Sequence, residues 1–162
     1  MKYIKLIFFS GVSFFVLALI VSFFIPSHIS VTRTTKIAGG RDSVLNQVKD
    51  LSNWKNWYPG MANKTLENPV MKEGRTTSGS ISGVLIKLDK SDDSTVLATF
   101  QKGERPVKAF WQLGKDLKSD SLLLQNSMEF DLKWYPWEKF SSLLMDKSYG
   151  HIMELGLQNL KK

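Results

Sequence analysis

Hydrophobic and polar residues follow three patterns along the chain, and each pattern predicts a different kind of element. Residues 6–25 are apolar and uncharged, with three serines as the only polar interruptions. Short runs that alternate apolar with polar residues follow, separated by Gly, Pro, Asp and Ser, and these runs predict β-strands. Residues 136–162 have the composition of a helix. The sequence therefore predicts an α+β fold: one apolar helix, an antiparallel sheet and a long C-terminal helix.

The apolar run of residues 6–25 is long enough to cross a bilayer. At about 1.5 Å per residue, a helix of this length spans a hydrocarbon core of about 30 Å. A cleaved signal peptide would have an apolar run of roughly 7–15 residues and a small-residue cleavage site, and residues 22–26 offer no such site. We therefore predict a transmembrane anchor over residues 1–27 and one folded domain over residues 28–162.

The charges that flank this run give a small preference for its orientation. Lys2 and Lys5 precede it, whereas Arg33, Lys36 and Arg41 follow it at a greater distance. Positive charges close to a membrane span tend to stay on the cytoplasmic side. The preference is for a cytoplasmic N-terminus and an extracytoplasmic domain.

Alternating stretches predict the strands of one sheet. Residues 29–37 alternate β-branched with polar side chains, as a half-buried strand does. Residues 76–89 alternate throughout and predict a single strand, and residues 96–100 and 107–113 predict two more. Residues 122–132 predict the last strand. One of its faces carries Leu122, Leu124, Asn126, Met128 and Phe130. Because short turns join consecutive strands, we expect antiparallel pairing.

Two short helices are predicted after the first strand. Apolar residues recur at helical spacing over residues 44–51, and Asp42 or Ser43 is suited to cap this helix. Trp54 and Trp57 lie three residues apart and would share one side of a second short helix, which Pro59 ends.

The C-terminal segment does not behave as one straight helix. On a helical wheel at about 100° per residue, one apolar stripe is formed by Met145, Tyr149, Ile152, Met153, Gly156 and Leu160. Trp137, Phe140 and Leu144 fall almost opposite this stripe. We therefore predict that the long helix begins near residues 144–145, and that residues 137–143 form a separate turn or short helix.

The order of elements resembles the START/Bet v 1-like helix-grip fold and, within it, the SRPBCC family of polyketide cyclase/dehydrase-like proteins. The resemblance is carried by VTR at 31–33, VKDLSNWKNWYP at 48–59, PWEKF at 136–140 and LGLQNLKK at 155–162. It implies a curved antiparallel sheet that grips the C-terminal helix, with a cavity between them. Proteins of this kind are similar to carriers of sterols and lipids, to cyclases, and to oxygenase or hydrolase subunits, and fold alone does not choose among these.

The residue types present exclude several kinds of chemistry. The chain has no cysteine and only two histidines, His28 and His151, so neither a thiolate nor a Cys/His metal site is predicted. No motif predicts a cofactor. The net charge is +7, but no lysine and arginine cluster appears, so no nucleic-acid partner is expected. The oligomeric state is left open.

Aromatic residues are dense in this domain and predict where a ligand would bind. Ligand cavities are mostly apolar and lined by aromatic side chains. The hypothesis is that a cavity for an apolar molecule is lined by Trp57, Trp111, Met128, Phe130, Tyr149 and Met153. The alternative is that Trp54 and Trp57 only seal the helix pair onto the sheet.

Three functions remain open at this point. The first is a non-catalytic, membrane-anchored domain that binds a small hydrophobic, lipid-like ligand drawn from the adjacent bilayer. The second is a cyclase- or hydrolase-like enzyme, which would need a buried Glu129, Asp131 or His151. The third is a protein-interaction module whose cavity is closed.

Overall fold

A computed structural model of the protein describes residues 2–37, 40–116 and 121–161. Helix α1 (Lys2–Phe23) leads into the fold and leaves most of its apolar side chains exposed. Its segment Tyr3–Phe23 is long and apolar enough to span a membrane, a property that signal sequences share.

The centre of the fold is one seven-stranded antiparallel sheet, in the order β1-β7-β6-β5-β4-β3-β2. The first strand therefore lies beside the last one, and β2 forms the opposite edge. The strands are β1 (His28–Ile37), β2 (Glu67–Lys72), β3 (Arg75–Ile81), β4 (Val84–Ser91), β5 (Thr95–Lys102), β6 (Arg105–Lys115) and β7 (Leu122–Asp131).

The helices lie in the β1–β2 connection and at the C-terminus. The first group is α2 (Arg41–Val48) with two 3₁₀ helices, Leu51–Asn56 and Pro59–Met61. The second group is α3 (Pro136–Ser141), a 3₁₀ turn (Ser142–Leu144) and α4 (Met145–Leu160). One core joins the first group and α4 to the inner face of the sheet, where Leu51 and Trp54 have no exposed surface.

The predicted break in the C-terminal segment is confirmed, because α4 begins at Met145. The predicted stripe on α4 is only partly correct. Met153 and Gly156 are buried, but Tyr149 and Ile152 are 36% and 37% exposed. Gly150 and Leu157 are buried in addition. The helix is rotated relative to the predicted stripe because it packs chiefly on the edge strand β1, so one flank of the stripe faces solvent.

Two sequence-based predictions of local structure are wrong. Residues 76–89 are not one strand: Ser82 and Gly83 take φ values of 50° and 76° and form the turn between β3 and β4. Positive φ at both central residues is the conformation of a type I′ hairpin turn. The cap of α2 is Gly40, with no side-chain hydrogen bond, so neither Asp42 nor Ser43 occupies the capping position.

Candidate ligand-binding interior

Five aromatic rings form one cluster inside the grip of sheet and helices. Trp54 comes from the 3₁₀ helix Leu51–Asn56, and Trp57 and Tyr58 directly follow it, whereas Phe100 and Trp111 come from β5 and β6. The ring centroids of Trp54 and Trp111 are 4.9 Å apart, and those of Trp57 and Trp111 are 6.0 Å apart. Edge-to-face pairs at such distances stabilise a core beyond the area they bury. We call these five residues the aromatic cluster.

The end of α2 fixes two of these rings. The indole Nε1 of Trp54 donates to the carbonyl of Val48 at 2.9 Å, and the Nε1 of Trp57 donates to the carbonyl of Gln47 at 3.1 Å. The last carbonyls of a helix have no partner within the helix. The tryptophans therefore satisfy the end of α2 while their own N–H groups are satisfied.

A cavity of about 310 Å³ borders the aromatic cluster. Tyr58 and Phe100 belong both to its wall and to the cluster, and Met61, Ile81 and Ile86 add apolar surface. This volume lies at the lower end of the range for small-molecule sites. Burial raises the pKa of Tyr58 to about 12, so its phenol stays protonated at neutral pH.

A row of polar side chains crosses the inner face of the sheet next to the aromatic cluster. Strand pairing places Arg33 of β1 opposite Asn126 of β7, and Asn126 opposite Trp111 of β6. Side chains directly opposite on one face lie with their Cβ atoms about 5 Å apart. Asn126 and Trp111 are each 2% exposed. The row therefore has Arg33 at its end beside α4 and the buried Asn126 and Trp111 at its end in the core.

Two atoms of this row are buried without a hydrogen-bond partner in the described part of the chain. They are Nε1 of Trp111, a donor, and Oδ1 of Asn126, an acceptor. A buried polar group left unsatisfied costs about 1–3 kcal/mol. Because nearly every buried polar atom in a native structure has a hydrogen-bond partner, an atom without one indicates that a molecule from outside the chain supplies the partner.

The outer end of the row is held by ion pairs to α4. Nε of Arg33 lies 2.6 Å from Glu154, and its Nη1 and Nη2 lie 2.9 and 3.1 Å from Asp146. These hydrogen bonds raise the pKa of Arg33, and the bond from Arg33 lowers the pKa of Asp146. Gly150 lies one turn from each carboxylate and lets the guanidinium approach the helix backbone. We call these three charged residues the Arg33 clamp.

The six residues predicted to line the pocket lie around this interior. Trp57 and Trp111 pack on each other within the aromatic cluster, and the rings of Phe130 and Tyr149 are 4.6 Å apart. Met128 and Met153 are buried. Five of the six are therefore core residues, while Tyr149 is partly open to solvent at the α4 side.

Sequence reasoning missed Arg33 and Asn126 as members of the candidate site. Both were placed on strand faces, but neither was singled out. A signal was present for Asn126, because it is the one polar side chain on the otherwise apolar face of residues 122–130. A buried polar residue on such a face calls for a partner.

The residues considered for catalysis lie elsewhere. Asp131 and His151 are exposed, and Glu129 occupies the outer face of β7. Asp131 pairs instead with His28, with its Oδ1 at 2.9 Å from Nδ1 of the imidazole. Among residues 2–37, 40–116 and 121–161, no group of three His, Asp or Glu side chains is arranged to hold a metal ion.

Comparison with known proteins gives structural matches only. No family model and no curated protein sequence matches this chain. A START superfamily protein from Mycobacterium smegmatis superposes with a TM-score of 0.60 at 16% identity, over 82% of this chain and 94% of that one. A protein from Nitrosospira multiformis gives a TM-score of 0.60 at 11% identity, over 82% and 94%.

A third match is the di-domain ARO/CYC StfQ from the steffimycin biosynthetic pathway, with a TM-score of 0.60 at 9% identity, over 83% of this chain and 49% of that one. At identities this low, the matches establish the fold alone. The chain has the START/Bet v 1 helix-grip fold, as its sequence predicted.

Proposed function

We propose that this protein is a membrane-anchored helix-grip domain that binds one small apolar molecule carrying a hydroxyl group, without catalysing a reaction. The observation that carries the proposal is the pair of unpartnered atoms, Nε1 of Trp111 and Oδ1 of Asn126. They come from directly opposed residues of β6 and β7, and Trp111 is itself a member of the aromatic cluster.

A hydroxyl group combines the acceptor that Nε1 of Trp111 lacks with the donor that Oδ1 of Asn126 lacks. Its oxygen accepts from the indole N–H of Trp111, and its hydrogen is donated to the carbonyl oxygen of Asn126. The rest of the molecule would contact aromatic and aliphatic side chains, which favour apolar surface. Long-chain alcohols, monoacylglycerols and sterols combine these two properties, and all of them partition into bilayers.

A cavity that borders the aromatic cluster supports the proposal, although neither Trp111 nor Asn126 is among the described residues that line it. It is about 310 Å³ in volume, and its Tyr58 and Phe100 walls are also members of the aromatic cluster. Helix α1 would hold this domain at a membrane surface, where apolar ligands are concentrated. The matched structures support a ligand-binding fold, since one is described as a START superfamily protein and another as an ARO/CYC protein.

The test compares two probes that differ in one hydrogen-bond donor. The full chain in detergent would be titrated with 1-decanol and with its methyl ether, and tryptophan fluorescence and thermal stability would be followed. The ether accepts from Trp111 but has no hydrogen for Asn126. We expect the alcohol to bind roughly 5- to 100-fold more tightly, the loss produced by one unsatisfied buried acceptor.

The alcohol and the ether partition differently into detergent, but this difference is the same for the wild type and for Asn126→Leu. Comparing the two proteins therefore removes it. Asn126→Leu removes the acceptor, so the preference for alcohol over ether should disappear. Gln125→Leu, on the exposed side of the same strand, should retain it. Equal preference in the wild type and in Asn126→Leu would contradict the proposal, and so would the absence of any spectral or thermal response to either probe.

A further inference from the structure

A buried lysine joins the end of the apolar helix to the folded domain. Lys139 of α3 is 5% exposed. Its Nζ donates to the carbonyl of Ile25 at 2.7 Å and to Oγ of Ser27 at 2.6 Å. Among the described residues no carboxylate lies within 4.0 Å of this Nζ, although other lysines and arginines of the fold have such partners. An ammonium has three donors and Lys139 has two acceptors among the described residues, which leaves one N–H for a further acceptor.

A cavity of about 600 Å³ opens beside this ammonium group. Leu19, Phe23 and Trp134 give it apolar walls, and Ser22 and Ser27 give it hydroxyl groups near Lys139. None of the described residues that line it is acidic. Its surface is therefore apolar with one positive charge, which suits a ligand that has a hydrocarbon part and a negative part.

The place of the cavity along α1 indicates the source of such a ligand. The segment Tyr3–Phe23 is about 32 Å long at 1.5 Å per residue, close to the thickness of a hydrocarbon core. A cavity at its C-terminal end would lie at the depth of lipid headgroups. Trp134, Trp137, Leu143 and Leu144 are exposed in and around α3, which contacts α1. Exposed tryptophans beside a membrane span are typical of the bilayer interface.

We propose that this cavity binds the headgroup phosphate of an anionic phospholipid, with Lys139 as its counter-charge. The proposal rests on the anchoring of α1 in a membrane, but not on the interior ligand. A zwitterionic lipid would bring its own cation and leave the charge of Lys139 uncompensated, whereas an anionic lipid neutralises it. The preference should therefore be for anionic lipid.

The experiment is native mass spectrometry of the full chain in mixed micelles with equal amounts of phosphatidylglycerol and phosphatidylcholine of the same acyl chains. We expect phosphatidylglycerol to be retained about 10-fold over phosphatidylcholine, equivalent to one charge-assisted hydrogen bond. Lys139→Gln should reduce this ratio to about one, and Lys139→Arg should largely preserve it. Lys147→Gln, which removes an exposed lysine of α4, serves as the matched control and should not change it.

Three further measurements separate this site from a structural role of Lys139 and from binding of a free anion. Leu19→Trp fills the cavity but keeps the lysine, and it should also abolish the lipid preference. If Lys139→Gln lowers thermal stability but keeps the preference, Lys139 only caps the end of α1 and the proposal is wrong. If inorganic phosphate stabilises the lipid-free protein as much as phosphatidylglycerol does, the ligand is a free anion and the lipid assignment is wrong.

Failure of this site can be distinguished from failure of the function proposed above. Asn126→Leu should leave phosphatidylglycerol retention unchanged, since Asn126 lies in the interior between β1 and β6. An intact mass that lacks residues 1–27 would show that the anchor itself is absent, and it would overturn the lipid site because Leu19 and Phe23 would be lost with it.

Discussion

Two glycines of α4 have the same chemistry but different surroundings. A Cβ at Gly156 would lie 3.5 Å or more from its nearest neighbours, Pro59 and Trp57, whereas a Cβ at Gly150 would lie 2.7 Å from Cζ of Arg33. Alanine is favoured over glycine in a helix by about 1 kcal/mol. Gly156→Ala should therefore raise the free energy of unfolding by about 0.5–1 kcal/mol. Gly150→Ala should not, because it displaces Arg33. Chemical denaturation of the two variants measures the difference.

The Arg33→Ala background tests the cause of this difference. Without the guanidinium, the space above Gly150 is free, so Gly150→Ala should then stabilise the protein by about 1 kcal/mol. The contrary result is that Gly150→Ala stabilises the wild-type protein as much as Gly156→Ala does. That result would show that displacing Arg33 does not lower the free energy of unfolding, so the close approach of Arg33 to α4 has no energetic consequence.

The role of Arg33 and Asn126 depends on information that a single sequence does not carry. Each residue was assigned to a strand from its alternating neighbours, and this assignment was correct. Their opposition across the sheet depends on the register of β1 on β7, which joins residues almost a hundred positions apart. Register is decided by tertiary packing of one buried face, which local alternation leaves undetermined.

At the scale of elements, the Arg33 clamp fixes α4 to the edge strand β1. Asp146 accepts two hydrogen bonds from Arg33, and these lower the pKa of Asp146 below its ordinary value of 3.8. A carboxylate with a lowered pKa stabilises the fold above its unfolded pKa, and this contribution is lost as pH falls through the folded pKa. The thermal midpoint should therefore decrease on acidification below about pH 4, and the decrease should be smaller in Asp146→Asn.

The control for this prediction is an acidic residue outside the clamp. Asp92 lies in the β4–β5 turn and forms an exposed ion pair with Lys90. Asp92→Asn removes this pair and should retain the full acid dependence of the wild type. Differential scanning calorimetry at several pH values measures both variants. Identical acid profiles for the wild type and Asp146→Asn would show that the clamp does not couple α4 to the stability of the fold.

Helical periodicity was more informative than strand alternation in this chain. The break before Met145 was predictable because Trp137, Phe140 and Leu144 fall opposite the stripe of the later residues. These three side chains are exposed, so the break does not serve to bury them in the core. The β3–β4 turn was missed because Ser82-Gly83 interrupts neither the alternation nor the β-branched composition. Its only local signal is Gly83, and asparagine or aspartate is the usual partner of glycine in such turns.

At the scale of the whole molecule, charge is arranged around one apolar helix. In the sequence, Lys2, Lys5 and the α-amine stand directly before the apolar run of residues 6–25, whereas Arg33 and Lys36 on its other side follow the Pro26-Ser27 link. Beyond residue 26 the chain still carries more lysine and arginine than aspartate and glutamate. An excess of this sign favours an anionic bilayer surface on whichever side the domain lies.

The orientation of the chain can be measured directly because the natural sequence has no cysteine. A cysteine introduced as Glu104→Cys lies in the exposed turn between β5 and β6, and Tyr3→Cys lies at the opposite end of α1. Positive charges nearest the span hold the N-terminus on the cytoplasmic side. A membrane-impermeant maleimide should therefore label position 104 in intact cells or spheroplasts, and position 3 only after permeabilisation. The reverse pattern would place the domain in the cytoplasm, and a protein that has lost residue 3 would identify α1 as a cleaved signal sequence.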